Sequence, residues 1–337
     1  MNIRRAPPGG SRDASPCRRQ TRLTRRTTEA LLALLRAKQR LFALAPHPGD
    51  RLGRARRDMR MLEAQGEPVR GFDVRAGGRS RGDIRDRSCL RQRLRGCGGV
   101  IHLAAVSRVI WGERDPARCR STNVDGLRNL IEIALEEDPP PWLIFASSRE
   151  VYGQPKILPV TEDAPLCPVN VYGRTKLAGE AMVDAARRAG LRTAIVRLSN
   201  VYGSTTDHAD RVVPAFARAA LAAQPLRVEG PDSTFDFTHV DDVVRGMLLV
   251  MEQVRQGGLL PPIHLVTGVP TTLAELAAMT VEIGASSSRI DLCAPRDFDV
   301  ARFHGDPARA RTLLGWEARI PLRHGIARLI EDLRRVA

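Results

Sequence analysis

Short apolar runs alternating with helical stripes constrain this chain more than any other feature. Leu41–Leu44, Val69–Val74, Gly99–Ala104, Trp142–Ala146 and Thr193–Leu198 are mostly apolar and short, as strands buried on both faces are. Helical patterns lie between them. Leu52, Ala55, Met59 and Leu62 recur at 3-4-3 spacing, Gly66 and Pro68 end that stripe, and Asn123–Leu135 and Val171–Ala189 are longer. A parallel pair of strands needs a crossover, usually a helix, so this repetition predicts an α/β fold with a doubly wound parallel sheet. After residue 200 Pro and Gly become more frequent. Shorter helices are predicted over Val213–Ala223, Asp241–Glu252 and Leu273–Ile283, the pattern of a smaller C-terminal lobe.

The chain has 337 residues, 43% of them hydrophobic, enough for a sizeable core. No apolar run approaches the ~20 residues of a membrane span. Six cysteines are scattered without a CxxC pair, which excludes a disulfide scaffold or a zinc module and predicts a reducing, cytoplasmic setting. The net charge of +15 is uneven: residues 1–100 carry +16 and residues 101–337 carry −1. Residues 1–40 are Arg-rich with almost no apolar periodicity, and they are expected to be a basic tail, disordered or foreign to the fold. A nucleic-acid arm or an Arg-rich transit peptide stays open for that segment. The ordinary charge of the rest predicts neither a nucleic-acid nor a membrane partner. Lysine is rare: only Lys38, Lys156 and Lys176 occur beside 50 arginines, so a lysine placed where chemistry wants one is informative.

One such lysine closes Tyr172–Gly173–Arg174–Thr175–Lys176. Positions i and i+4 share a helix face, so the phenol and the ammonium project into one site. A fixed cation favours phenolate, and moving a tyrosine from ~10 to ~7 is worth about 4 kcal/mol. Such a group suits proton transfer at an alcohol or sugar hydroxyl. Ser147 and Ser148 end the Trp142–Ala146 strand, the end at which open α/β sheets bind ligands.

Together these residues resemble the extended short-chain dehydrogenase/reductase family, the nucleotide-sugar epimerases and dehydratases. The resemblance runs from about residue 41 to 330 through HLAA (His102–Ala105), TNVDG (Thr122–Gly126), SSREVYG (Ser147–Gly153), YGRTK, RLSNVYG (Arg197–Gly203), DFTHVDD (Asp236–Asp242) and DPARARTLLGW (Asp306–Trp316). It implies a Rossmann-like fold with an NAD-binding domain over residues 41–200, a mainly substrate-binding lobe over 201–337, a homodimer and a nucleotide-diphosphate sugar as substrate. Residue by residue, it implies Ser148, Tyr172 and Lys176 as the catalytic set, with Glu150 as a further working carboxylate. For the cofactor it implies Gly49 and Gly53 at the pyrophosphate, Asp73 at the adenosine ribose, and Asp83 and Ile84 at the adenine. Leu103, Ala104, Ala105 and Asn123 join them along the cofactor, with Tyr172 and Lys176 at the nicotinamide ribose. On the substrate side stand Ser148, Asn200 and Arg296, with Arg211 and Phe235 nearby. No metal is implied. Asp73 favours NAD over NADP because a carboxylate would repel a 2′-phosphate.

Three departures qualify the resemblance. The family's TGxxGxxG loop is replaced by Ala45–Pro46–His47–Pro48–Gly49–Asp50–Arg51–Leu52–Gly53, in which the prolines donate no hydrogen bond and Asp50 would face phosphate. Phe235 stands where the family usually has a phosphate-binding arginine. Arg149–Glu150 replaces the Asp–Glu of the dehydratases, and an arginine there holds its neighbour ionised, which favours epimerisation. The expected reaction is therefore NAD-dependent epimerisation of a nucleotide-sugar, as in UDP-glucose 4-epimerases. A decarboxylase, dehydratase or reductase of the same family is the nearest alternative, and a catalytically silent binding protein with a lost phosphate loop is another.

Overall fold

The computed structural model describes residues 41–44, 69–72, 74, 81–205, 207–297 and 300–336. Its first half contains β1 (Leu41–Leu44), β2 (Val69–Phe72), α1 (Arg87–Leu94), β3 (Gly99–His102), α2 (Val109–Arg114), α3 (Pro116–Arg120), α4 (Gly126–Glu136), β4 (Trp142–Ser148) and α5 (Val171–Arg188). There follow β5 (Thr193–Leu198), β6 (Asn200–Tyr202), α6 (Val212–Leu221), β7 (Leu226–Glu229), β8 (Thr234–His239), α7 (Val240–Arg255) and β9 (Ile263–Leu265). The chain finishes with β10 (Pro270–Thr272), α8 (Leu273–Gly284), β11 (Ile290–Cys293), α9 (Ala308–Leu314) and α10 (Leu322–Val336).

Six strands form the main sheet in the order β2-β1-β3-β4-β5-β9; β3, β4 and β5 run parallel as expected, and β9 joins them in parallel from beyond residue 200, where the sequence predicts an appended lobe and not more sheet. A second strand departs in its direction: β1 is antiparallel to both β2 and β3. A four-residue apolar run such as Leu41–Leu44 carries no signal of direction, and either ladder pairs its backbone. The helix expected over Leu52–Leu62 lies outside the described residues.

Both faces of the sheet are covered, and β4 shows why its sequence is apolar without alternation. Leu143 and Phe145 pack under α1, α4 and α5 with Leu90, Leu127, Leu130 and Val183. Trp142, Ile144 and Ala146 point the other way, into a core with Val243, Val244 and Met247 of α7 and with Trp316. Truncating one such fully buried leucine to alanine costs about 2–5 kcal/mol. A third core, made by α6, α8 and α10 against β7 and β8, holds the C-terminal lobe together. The main sheet nevertheless recruits β9 and α7 from beyond residue 200, so the two halves of the sequence interlock. His102 and Trp316, read as packing residues from the sequence, are both fully buried; His102 stacks on Phe145 and Trp316 Nε1 donates to the Asp242 carbonyl oxygen at 2.9 Å.

Candidate active site

A cleft of about 320 Å³ opens between the C-terminal ends of β3 and β4 and the second lobe. Its floor is built by the end of β4 and the first turns of α5. Asn170 caps that helix: its Oδ1 accepts from the Gly173 backbone N–H at 2.8 Å, satisfying one of the donors a helix start leaves open. Gly173 is required by close approach, since a Cβ there would sit 2.5 Å from the Glu150 carbonyl oxygen. The missing side chain lets α5 press against the turn that follows β4, and this brings Tyr172 to Ser148.

The structure brings Ser148, Tyr172, Lys176 and Glu150 together along the cleft. Ser148 lies close enough to the Tyr172 hydroxyl to favour its ionised form. Ser148 Oγ also accepts from the Glu150 backbone N–H at 3.3 Å, which fixes its direction. Lys176 Nζ donates to the Ala146 carbonyl oxygen at 2.8 Å and lies 5.8 Å from the centre of the Tyr172 ring. The expectation that Lys176 draws the phenol down is corrected here. Burial pushes Tyr172 up to about 12, and the influences that oppose it are the Arg211 guanidinium and Ser148. Burial also pushes Lys176 down to about 8, opposed by Cys119 and Glu180. A buried ammonium next to a phenol loses its own charge before it can stabilise a phenolate, so the second cation, Arg211, carries that influence.

Glu150 has both oxygens engaged. Oε1 pairs with Arg149 Nη2 at 3.0 Å, and Oε2 accepts from Asn170 Nδ2 at 2.7 Å. The Arg149 guanidinium in turn lies 4.4 Å from the centre of the Phe235 ring. Phe235 and Asn200 line the cleft wall formed by β8 and β6.

At the rim, three arginines gather. Arg211 Nη2 reaches the Ser107 hydroxyl at 3.3 Å and its Nε lies 3.4 Å from Asp207 Oδ1; Arg296 Nε lies 3.5 Å from Glu229 Oε2. Arg108, which the sequence did not single out, bonds the Asp210 carbonyl and carboxylate oxygens, both at 2.9 Å. Burial lowers the Arg108 pKa, and repulsion from Arg211 and Arg296 adds to it. Arg108 is repelled by Arg211 and Arg296, and an anion with several oxygens bound between them would relieve that repulsion. A guanidinium six residues past a strand end is the one sequence signal that could have found Arg108.

The expected cofactor residues are placed unevenly. Leu103 and Ala105 line the cleft at the end of β3, and Ala104 packs against the core beside them. Asn123 is buried and its amide is used within the protein: Oδ1 accepts from Val106 N at 2.7 Å, while Nδ2 donates to Val106 O and to Thr175 Oγ1. It thereby ties the loop after β3 to α5. Asp83 is gripped by Arg85, which lowers its pKa, and Ile84 is a core residue against Gly126. Gly49, Gly53 and Asp73 lie outside the described residues. A dinucleotide laid across the ends of β3 and β4 fits what is present there. Leu103 and Ala105 offer an apolar wall, and Lys176 has two N–H bonds beyond the one given to Ala146 for ribose hydroxyls.

Comparison with known proteins agrees with this geometry. The family model described as the NAD dependent epimerase/dehydratase family matches residues 55–261. UDP-glucuronic acid decarboxylase 6 of Arabidopsis thaliana is 30% identical over 70% of this chain and 69% of its own length. The crystal structure of UDP-glucose 4-epimerase from Thermotoga maritima, solved with UDP-glucose, superimposes with a TM-score of 0.72 at 29% identity, covering 77% of this chain and 86% of that one. The dTDP-glucose 4,6-dehydratase DesIV of Streptomyces venezuelae, solved with NAD bound, gives 0.70 at 28% identity, covering 75% and 78%. Strand order, the Ser148–Tyr172–Lys176 cluster and these matches converge: the chain belongs to the NAD dependent epimerase/dehydratase family.

Proposed function

We propose that the protein binds NAD and a nucleotide-diphosphate sugar and inverts one sugar carbon by transient oxidation. The observation that carries this reading is Ser148, Tyr172 and Lys176 gathered on the cleft floor, with Ser148 acting on the Tyr172 hydroxyl, Lys176 one turn away and the arginines at the rim. The chemistry NAD supplies there is reversible hydride exchange with the carbon that bears the reacting hydroxyl. Tyr172 first gives up its own hydroxyl proton to solvent, and the phenolate then takes the proton of the sugar hydroxyl while the carbon bearing it is oxidised, returning it when that carbon is reduced from its other face. Ser148 donates to the same oxygen as it becomes a carbonyl. Lys176 holds the cofactor ribose. Arg108, Arg211 and Arg296 take the diphosphate, which keeps the sugar tethered while it presents its second face. The charge of Arg211 favours the phenolate form that Tyr172 must reach before it can accept that proton.

Sugar decarboxylation and dehydration compete with this reading, since both would call on Glu150. The ion pair with Arg149 and the Asn170 bond occupy both of its oxygens, and this supports epimerisation over either. The test is incubation of the protein and NAD with UDP-glucose and with UDP-glucuronic acid, products being resolved by NMR. Appearance of the 4-epimer of either, with no carbon dioxide released and no net NADH, is the expected result. A decarboxylated or dehydrated sugar as the sole product overturns the reading.

A further inference from the structure

A buried polar network joins the two elements carrying the catalytic floor. Ser147 Oγ donates to Glu180 Oε1 at 2.5 Å. Glu180 also accepts twice from Arg197 of β5, Nε to Oε1 at 2.9 Å and Nη2 to Oε2 at 2.7 Å. Arg197 Nη1 continues to the Tyr152 hydroxyl and the Glu162 carbonyl oxygen, each at 2.7 Å, and Tyr152 is hydrogen-bonded to His264 of β9 at 2.6 Å. Ser147, Glu180 and Arg197 are all at most 4% exposed. An ion pair this deep carries a large desolvation cost, and an apolar pair of the same volume is often as stable, so bulk stability does not account for it. Its placement does. Ser147 immediately precedes Ser148 on β4. Glu180 follows Lys176 by four residues on α5 and so shares its face. The network is a strut between the strand end that presents Ser148 and the helix that presents Tyr172 and Lys176.

We propose that Glu180 is a positioning residue of this site: clamped by Arg197, it holds the end of β4 through Ser147, so setting Ser148 against Tyr172, and it supplies a buried counter-charge to Lys176. The titratable groups around Lys176 are Tyr172 and Glu180 on its own helix, Cys119 on α3 and His102 on β3. His102 is neutral there, its pKa pushed down to about 3 by burial and by Lys176, and burial keeps Cys119 a thiol. Tyr172 is a phenol, pushed up to about 12. Glu180 is thus the full negative charge in that set, and Arg197 is its partner on the far side.

The two duties separate by substitution. Glu180→Gln keeps a side chain able to bond Ser147 and removes the charge, while Ser147→Ala keeps the charge and removes the tie to β4. Glu180→Gln leaves Arg197 without a counter-charge, so the double variant Glu180→Gln/Arg197→Met, in which no charge is stranded, covers the case in which the single one fails to fold. The chain's three lysines make Lys176 readable by NMR titration of carbon-labelled lysine, with no substrate present. The midpoint of Lys176, near 8 in the parent, is expected to fall by about one pH unit in Glu180→Gln, to fall less in the double variant, and to stay in Ser147→Ala. In turnover, Ser147→Ala is expected to lower kcat about tenfold with KM changed less than about threefold, since positioning acts on the transition state. An unchanged Lys176 midpoint in a folded Glu180 variant overturns the counter-charge, and a parental kcat in Ser147→Ala overturns the positioning. The kinetic arm rests on the hydride-transfer reading and the NMR arm does not. If the parent turns over no nucleotide sugar, that reading fails while the titration still decides the role of Glu180.

Discussion

The floor and the rim of the cleft solve different problems with similar residues. On the floor every charged group is buried and held by partners of fixed geometry: Glu150 between Arg149 and Asn170, and Lys176 on the Ala146 carbonyl beside Tyr172. At the rim, Arg296 is 39% exposed and Arg108 17%, and their acidic partners Glu229 and Asp210 are 32% and 54% exposed. Charges of the first kind act at short range in a low dielectric and are insensitive to salt. Those of the second kind are screened within about 10 Å at 0.1 M salt. The comparison fits the proposed division, chemistry on the floor and capture of a charged ligand at the rim.

Four experiments break or sharpen that division. The largest effect is expected from Tyr172→Phe, which removes a single buried hydroxyl. Turnover should fall by at least about a thousandfold while the melting temperature stays within a few degrees, as thermal melts and product assays would report. Near-parental turnover would make Tyr172 a packing residue and move the chemistry off the floor. Next comes Gly173→Ala. It forces a methyl to within 2.5 Å of the Glu150 carbonyl oxygen, so α5 must shift, at a cost of roughly 1–3 kcal/mol in denaturant unfolding together with a loss of kcat. An alanine variant as stable and active as the parent would show that the helix start can yield.

Arg211→Ala and Arg296→Ala should each weaken binding of UDP about tenfold in calorimetry and flatten its salt dependence, whereas Tyr172→Phe should leave both unchanged. An equal salt slope in all variants would erase the difference between floor and rim. Acid stability gives the smallest effect. Burial pushes His102 and His264 down to about 3, so between about 6.5 and 3 the unfolded chain binds protons that the folded one refuses. Stability is therefore lost as pH falls through that window, and His102→Leu should shallow the decline of melting temperature with acid. A parallel decline in parent and variant would mean that His102 takes up its proton without unfolding.

Much of the fold and part of the site could be read from residue order. The strands β3, β4 and β5 and the helix α5 stand where apolar runs and 3.6-residue periodicity put them, because a strand buried on both faces needs a continuous apolar run. The pairing of Tyr172 with Lys176 followed from helix geometry alone. The antiparallel course of β1 did not, since a short apolar strand pairs in either direction. Arg108 stayed hidden among 50 arginines because its place six residues past a strand end does not by itself show that it faces Arg211 across the cleft.

Sequence by itself determined which residue types could do the chemistry and which faces they share, for these follow from backbone periodicity. Tertiary structure decided their electrostatic state. Whether Tyr172 is drawn down by Lys176 or pushed up by burial depends on how much water the packed lobes exclude and on which cation the second lobe brings near, and the answer here is burial opposed by Arg211. It also decided that Glu150 is held by Asn170, a residue twenty positions later whose other amide atom caps the tyrosine helix. Desolvation and long-range pairing are sums over the folded neighbourhood, and no window of sequence contains them.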